Sequence, residues 1–398
     1  MDLAFSAEEE RFRREARAWL EANKPAADER GDEPSERRAF DQAWQRTMFD
    51  GGWAGINWPV EYGGRGASLM EQVIWYEEFA RAEAPDPTTL FVGLKHGGPT
   101  LMACGTEEQK AFHLPKILKG EVVWCQGFSE PGAGSDLAAL QTKAVIDGDD
   151  LVVTGQKIWT SFGDIAQYQE LLVRTDPLAP KHKGISWVIC PMDAPGIDVR
   201  PIRTIAGHEE FCEVFYDEVR IPRANIVGAL NDGWRVAMST LSFERGTAFL
   251  AEQVRLARLV AELVELARET PLLGASQRRM ALEDDEIARR LARCSAEVEA
   301  LRAMTYRSIS RTARTGMPSE EGSLIRLFFS ELQQRVYALA MDIFGPRIME
   351  WGGDEGPAAS TRSWWVFHYL LAYAATIAAG TKEIQRNIIG ERILGLPR

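Results

Sequence analysis

Cysteine and histidine are both scarce in this chain of 398 residues, five of each. The cysteines (Cys104, Cys125, Cys190, Cys212, Cys294) are odd in number and never closely spaced. That excludes a disulfide framework and reads as the reduced thiols of a cytoplasmic protein. The histidines (His96, His113, His182, His208, His368) form no His-x-x-x-His pair, and no Cys-x-x-Cys occurs, so a metal site has no support. Also missing are a G-x-S-x-G elbow, a Walker loop and a G-x-G-x-x-G fingerprint, which removes the main sequence grounds for a hydrolase, an NTPase or a Rossmann protein. Positive charge is in deficit: 46 Lys and Arg against 58 Asp and Glu leave −12. A general nucleic-acid binder needs the opposite sign, because phosphate neutralisation supplies most of its affinity. The N-terminus, MDLAFSAEEERFRRE, is charged from its second residue and shows no apolar core of a secretory signal. Between Arg362 and Lys382 no side chain is charged, but Ser363, His368, Thr376, Gly380 and many alanines make this a buried core helix, not a membrane span.

What is present is an ordinary soluble composition, 45% apolar and 26% charged, in a chain too long for one core of usual size. Periodicity changes twice. Residues 1–120 carry amphipathic segments near 6–23, 36–51 and 68–82, interrupted by the turn-forming Trp58-Pro59-Val60-Glu61-Tyr62-Gly63-Gly64. In 121–230, Ala144-Val145-Ile146, Asp147-Gly148-Asp149-Asp150 and Leu151-Val152-Val153 read as strand, tight turn, strand, and short β-rich runs follow at 171–173, 185–190, 197–200 and 212–219. From 231 to 398 helical stripes return: Leu256, Leu259, Leu263, Leu266; then Ile287, Leu291, Cys294, Val298, Leu301; then, less strictly, Leu324, Phe328, Val336, Leu339, Ile343. The expected class is α+β: an N-terminal helical domain (1–120), a middle antiparallel β sandwich or barrel (121–230) and a C-terminal helical bundle (231–398).

Four segments could carry chemistry. Phe128-Ser129-Glu130-Pro131-Gly132-Ala133-Gly134-Ser135-Asp136 has the small residues that let backbone N–H groups approach phosphate oxygens, although an ordinary tight turn has the same composition. Gly155-Gln156-Lys157-Ile158-Trp159-Thr160-Ser161 sets a flat ring beside two hydroxyls, but a tryptophan in a sheet is usually core. In Leu241-Ser242-Phe243-Glu244-Arg245-Gly246 the adjacent Glu and Arg need not pair, and a solvent-facing glutamate is the plain alternative. Ala378-Ala379-Gly380-Thr381-Lys382-Glu383-Ile384-Gln385-Arg386 ends one helix at a glycine and starts another at Thr381.

Together these segments resemble the acyl-CoA dehydrogenase family. The run Gly105-Thr106-Glu107-Glu108-Gln109-Lys110 with Leu114-Pro115-x-Ile117, the signature Ser129 to Asp136, Gly155-Gln156-Lys157-x-Trp159, and Gly380-Thr381-x-Glu383-Ile384-Gln385-Arg386 are all in family order. The likeness spans essentially the whole chain. It implies FAD as cofactor and removal of two hydrogens from an acyl-CoA to give the trans-2-enoyl-CoA, within fatty acid β-oxidation and lipid metabolism. It assigns Gln126, Phe128, Ser129, Gly134, Ser135, Trp159, Thr160, Ser161, Thr381 and Glu383 to the cofactor. Ser135, Ser242, Arg245, Ala379 and Gly380 fall where the family holds the acyl-CoA. Neutral donors and backbone amides suit a cofactor that changes redox state.

Two departures qualify the likeness. Most members place the catalytic glutamate directly before the Gly-Thr of the C-terminal motif, where this chain has Ala379. A minority place it on the first helix after the β domain, directly before an arginine, and Glu244-Arg245 has that position. Glu244 is therefore the expected base, while the backbone N–H of Ala379 remains available to polarise the thioester carbonyl. The Arg-x-x-Phe-Gly run with which many members reach a neighbour's FAD is missing from Arg268-Glu269-Thr270-Pro271-Leu272-Leu273-Gly274. The resemblance further implies a homo-oligomer (dimer or tetramer) or a hetero-oligomer, and an electron-transfer flavoprotein as electron acceptor. A non-catalytic subunit and a flavin monooxygenase or oxidase on the same scaffold are the alternatives. Acyl length, branching or ring system is not legible, though some bacterial relatives with this base placement act on bulky steroid side chains.

Overall fold

In the computed structural model, residues 5–26, 29–31, 33–243, 249–272, 279–315, 321–350 and 361–397 are described. Packing separates the chain into two compact units. The first comprises Met1–Trp75, Ala82–Thr204 and His208–Gly246, and the second Tyr76–Arg81, Ile205–Gly207 and Thr247–Arg398.

The helices of the first unit begin where local chemistry can satisfy their free N–H groups. In α1 (Ala7–Asn23) the Ser6 hydroxyl accepts from Glu9 N at 3.2 Å, and the Glu9 carboxylate accepts from Ser6 N at 2.6 Å. Ser68 and Glu71 repeat this reciprocal box at α3 (Leu69–Arg81), and Thr106 and Gln109 repeat it at α5 (Glu107–Leu118). Each box satisfies two otherwise orphaned donors. Between these helices lie α2 (Pro34–Asp50), a π-turn (Gly93–Gly97) and α4 (Gly98–Cys104). Phe12, Ala16 and Leu20 on one face of α1 are buried. Beside them Trp53 and Trp75 stack at 4.7 Å, Trp19 packs on Trp44 at 5.7 Å, and the Arg65 guanidinium lies 3.8 Å over Trp53. Each such aromatic pair adds roughly 0.5–1.5 kcal/mol beyond its buried area.

The same unit contains an eight-stranded sheet: β1 (Trp124–Gly127), β2 (Lys143–Asp147), β3 (Asp150–Ser161), β4 (Tyr168–Arg174), β5 (Ile185–Pro191), β6 (Ile197–Ile202), β7 (Phe211–Pro222) and β8 (Ile226–Val227). The order is β6-β7-β3-β2-β4-β5-β8, with β1 added to β4. The expected β2–β3 hairpin is present, closing at Asp147 opposite Asp150 through Gly148 at φ +61°, a left-handed backbone that glycine adopts without strain. The sheet is mostly antiparallel, but β1 and β2 both pair with β4 in parallel. Alternating inward residues such as Leu151, Val153, Val188, Val214 and Val219 form its core, each contributing about 1.5–3 kcal/mol on burial. After β8 the chain enters α6 (Gly233–Phe243), whose Thr240 hydroxyl meets that of Thr100 on α4 at 2.8 Å.

The second unit packs α7 (Phe249–Glu269), α8 (Asp285–Thr315), α9 (Gly322–Phe344) and α10 (Thr361–Leu371) around one core. The expected α8 stripe, Ile287, Leu291, Cys294, Val298 and Leu301, is buried throughout. On α9 the buried stripe is Ile325, Phe329, Leu332, Val336, Leu339 and Ile343, one residue out of register with the expected start at Leu324. The charge-free segment 363–381 is not the single buried helix expected. α10 stops at Leu371, a 3₁₀ turn occupies Ala374–Thr376, and Tyr373 and Ile377 are exposed. Side chains from α9 take over the freed carbonyls: Arg326 Nη2 donates to Ala375 O and Ala378 O at 3.1 Å each, and Gln334 Nε2 donates to Ala372 O at 3.3 Å. Among the described residues no helix is long and apolar enough to cross a membrane.

Candidate active site

In the first unit the suspected cofactor residues converge at the ends of β1 and β3. β1 runs through Gln126 into the loop 128–136, where Glu130 and Ala133 exchange backbone hydrogen bonds at 3.1 and 3.0 Å around Pro131-Gly132. The loop is fixed from beneath. Glu130 is almost buried; its carboxylate accepts from Gln141 N at 2.6 Å, from Thr142 N at 2.9 Å and from Lys157 Nζ at 2.8 Å. Lys157, with no solvent exposure, also donates to Phe128 O at 3.1 Å. Burial pulls the Lys157 ammonium down to about 8 against the attraction of Glu130. For Glu130 burial acts the other way, but the Lys157 charge and the donors around it outweigh burial and hold the carboxyl below its usual range. Ile158 N donates to Ser129 O at 3.0 Å, so loop and strand are tied at two adjacent points.

That anchoring leaves an open outer face. Gly132 and Gly134 could each accept a Cβ with nothing of the described residues within 4 Å, so among these the loop borders free space there. Gly134 and Ser135 are exposed and Ser129 is partly so. Phe128 is buried at its side chain, so it can offer a ligand only backbone. On β3 the register against β7 shifts between Lys157 and Thr160, and Trp159 takes φ +62° within that bulge. A bulged strand re-aims its side chains. Trp159 is turned outward, 56% exposed, with Phe211 edge-on at 6.1 Å. Thr160 points inward and is fully buried, and its hydroxyl has no partner among the described residues. Ser161 is partly exposed. A large, costly-to-expose ring held in a strained backbone beside a small-residue loop is suited to a flat, phosphate-bearing ligand.

Ser242 lies exposed at the end of α6 in the same unit, its hydroxyl donating to Ser239 O at 2.7 Å. Glu244 and Arg245 lie outside the described residues, as does part of the 268–274 segment. Ala379, Gly380, Thr381 and Glu383 belong to the second unit. There Ala379 (φ +53°) and Gly380 (φ +88°) form a left-handed pair, and Thr381 caps α11 (Lys382–Ile388) by accepting from Ile384 N at 3.3 Å. Buried Gln385 donates through Nε2 to Ala379 O at 3.1 Å and to Gly380 O at 3.2 Å, fixing that turn. Glu383 is largely exposed, with Arg386 Nη1 at 3.9 Å.

Two buried polar groups escape a reading of sequence alone. Lys157 has a signal in its motif, but Glu170 sits in an apolar run and His96 in an unremarked helical turn. In the fold they meet Gln126: its Nε2 donates to Glu170 Oε1 at 2.6 Å, and His96 Nδ1 lies 3.3 Å from that same oxygen.

Family models for the acyl-CoA dehydrogenase N-terminal, middle and C-terminal domains match residues 6–121, 125–219 and 231–394. The chain is 41% identical over 395 residues to acyl-CoA dehydrogenase IpdE1 of Mycobacterium tuberculosis, covering 98% of each. Among solved structures it is similar to the Tcur3481-Tcur3483 steroid ACAD (34% identity, TM-score 0.84, all of both chains). It is also similar to the ChsE4-ChsE5 complex from Mycobacterium tuberculosis (35% identity, TM-score 0.79, all of both chains). A likeness of that extent through all three domains leaves one conclusion: the chain belongs to the acyl-CoA dehydrogenase family, and it is an oxidoreductase.

Proposed function

We propose that the chain is an FAD-dependent enzyme that converts an acyl-CoA to its trans-2-enoyl-CoA, with Glu244 as base. The observation that carries this reading is the anchored 128–136 loop, whose glycines face open space beside an outward Trp159. The family is generally FAD-dependent, and this surface offers what such a cofactor needs. Backbone and hydroxyl groups of Gln126, Phe128, Ser129, Gly134, Ser135 and Ser161 hold it, with the backbone of Thr160. By the family likeness Trp159 would flank its ring system, and Thr381 and Glu383 would contact its phosphate region. FAD, when bound, would supply the acceptor for the hydride that leaves the substrate β-carbon.

The chain's own residues do the rest. Glu244 takes the α-proton, and exclusion of water by substrate keeps its carboxylate basic enough for the task. The Ala379 N–H, set in a left-handed turn that Gln385 fixes, donates to the thioester carbonyl and eases loss of that proton. Ser135, Ser242, Arg245 and Gly380 hold the remainder of the acyl-CoA. Trp159 keeps solvent from the reacting face.

The likeness to a steroid ACAD favours a bulky, ring-bearing acyl group over a straight chain. Two similar structures carry names of paired proteins, which favours assembly with a second, related chain over a homotetramer. An electron-transfer flavoprotein is the proposed acceptor, and the compartment is the cytoplasm. Anaerobic reduction of the purified yellow protein by a panel of ring-bearing and straight-chain acyl-CoAs tests the whole reading. Glu244→Gln retains FAD and acyl-CoA but is reduced at least ~10²-fold more slowly, the lower end for losing a general base. Near-normal reduction by that variant excludes Glu244. A protein that takes up no flavin, alone or co-expressed with its partner, is instead a non-catalytic subunit.

A further inference from the structure

Gln126 and Glu170 are direct register partners in the parallel β1–β4 pair, so their side chains emerge on one face of the sheet. Glu170 is wholly buried. Its Oε1 takes a hydrogen bond from Gln126 Nε2 at 2.6 Å and lies 3.3 Å from His96 Nδ1, which is itself 3.3 Å from that amide nitrogen. His96 stands in the π-turn Gly93–Gly97, which packs against both β1 and α6, the helix that leads toward Ser242. π-turns within helices often mark functional positions. An ionised Glu170 admits one arrangement of the amide. Its oxygens then only accept, so reversing Gln126 would bring two acceptor oxygens together at hydrogen-bond distance. The Gln126 NH₂ is thereby committed inward, and its Oε1 makes no hydrogen bond to any described residue. Gln126 itself is only partly buried.

We propose that Glu170, with His96 beside it, is a positioning residue that locks the Gln126 amide so that its carbonyl oxygen accepts a hydrogen bond from an N–H or O–H donor of the bound ligand. This rests on the proposed reading that Gln126 lines the cofactor site. Two sources supply such a donor: the flavin ring, whose oxidised form has a single N–H, and a hydroxyl on the acyl part of the substrate. An amide locked at its nitrogen selects a donor and rejects an acceptor, because a ligand carbonyl at that place would face the Gln126 oxygen.

The test uses purified flavin-bearing protein, stripped of FAD and titrated with it while fluorescence is followed. Four forms are compared: wild type, Gln126→Met, Glu170→Gln and the double variant. With the flavin as donor, Gln126→Met weakens FAD binding about 5- to 10-fold, the loss of one hydrogen bond. An FAD methylated at the ring N–H shows the same weakening in wild type and no further loss in Gln126→Met. With the substrate as donor, wild type binds the N-methylated FAD as it binds FAD, and Gln126→Met raises KM more for ring-hydroxylated 3-cyclohexylpropionyl-CoA than for the unsubstituted thioester. In either case Glu170→Gln shows a smaller loss of the same kind, and the double variant is no worse than Gln126→Met alone. Additive losses in the double variant make Glu170 merely structural and overturn the proposal. So does a Gln126→Met protein that matches wild type in both arms. A wild-type protein that binds no FAD removes the underlying reading and this inference together.

Discussion

His113 should make the first unit sensitive to acid in a window that can be read in advance. Its imidazole sits in an aromatic box, edge-on to Phe112 at 4.8 Å, Trp124 at 5.2 Å and Tyr168 at 4.9 Å. Nδ1 is buried and has no partner among the described residues. Burial first, and the Lys116 charge second, bring its pKa from 6.5 down to about 4. Between those values the unfolded chain binds a proton that the folded chain refuses, so stability is complete above 6.5 and declines as pH falls toward 4. That interval corresponds to about 3 kcal/mol at most, and partial solvent access lowers it to about 2 kcal/mol. His113→Phe keeps the ring packing and removes the titration. Near pH 7.5 the variant should lie within about 1 kcal/mol of wild type, since the ring fits and an unpaired nitrogen is lost. By pH 4.5 it should be the more stable by about 2 kcal/mol. Urea unfolding followed by tryptophan fluorescence at pH 7.5, 6.5, 5.5 and 4.5 measures the difference, and other acid-labile groups cancel because both proteins have them. A stability difference that stays constant across that series refutes the reasoning.

Lys157→Met leaves the Glu130 carboxylate buried without its counter-charge and should cost about 3–5 kcal/mol in thermal or urea unfolding, whereas adding Glu130→Gln should recover part of that loss. Trp159→Gly should leave stability unchanged or slightly raised, because a half-exposed ring is lost and a φ of +62° is relieved, while FAD affinity falls. Leu263→Ala, at a fully buried position of the α7 stripe, should cost about 2–5 kcal/mol, and a loss below ~1 kcal/mol would show that the stripe does not face the core.

Much of the fold could be read from residues because local and global signals coincide. The amphipathic segments near 6–23 and 68–82 mark helices, the α8 stripe marks a core face, and Asp147 to Asp150 marks a hairpin. What escaped depends on distant partners. The parallel pairing of β1 and β2 with β4 involves strands some twenty to forty residues apart, about which alternation of side chains is silent. The break after Leu371 depends on Arg326 and Gln334 of another helix capturing carbonyls, which no periodicity within 363–381 could announce. In the candidate site the loop and its tryptophan were visible as motifs. Glu170 was not, since a lone carboxylate among Leu171, Leu172 and Val173 reads as a defect until Gln126 and His96 are seen around it.

Among the described residues six non-glycines take a positive φ (Glu83, Trp159, Phe162, Glu218, Asn231 and Ala379), and two of them, Trp159 and Ala379, stand where the proposed chemistry is assigned. A tryptophan at φ +62° and an alanine at φ +53° each sit in a region that costs an L-residue about 1–2 kcal/mol. Glycine would avoid that cost at either position, so the side chain or the surrounding contacts must repay it. At Trp159 the return is the ring itself, which the bulge turns outward beside the small-residue loop. At Ala379 the side chain is a methyl group with nothing to offer a substrate, and Gln385 spends its amide on the carbonyls of Ala379 and Gly380. What those bonds fix is the path of the main chain. A fixed turn without a carboxylate at residue 379 suits the proposed mechanism, in which Glu244 takes the proton and the residue-379 N–H polarises the carbonyl.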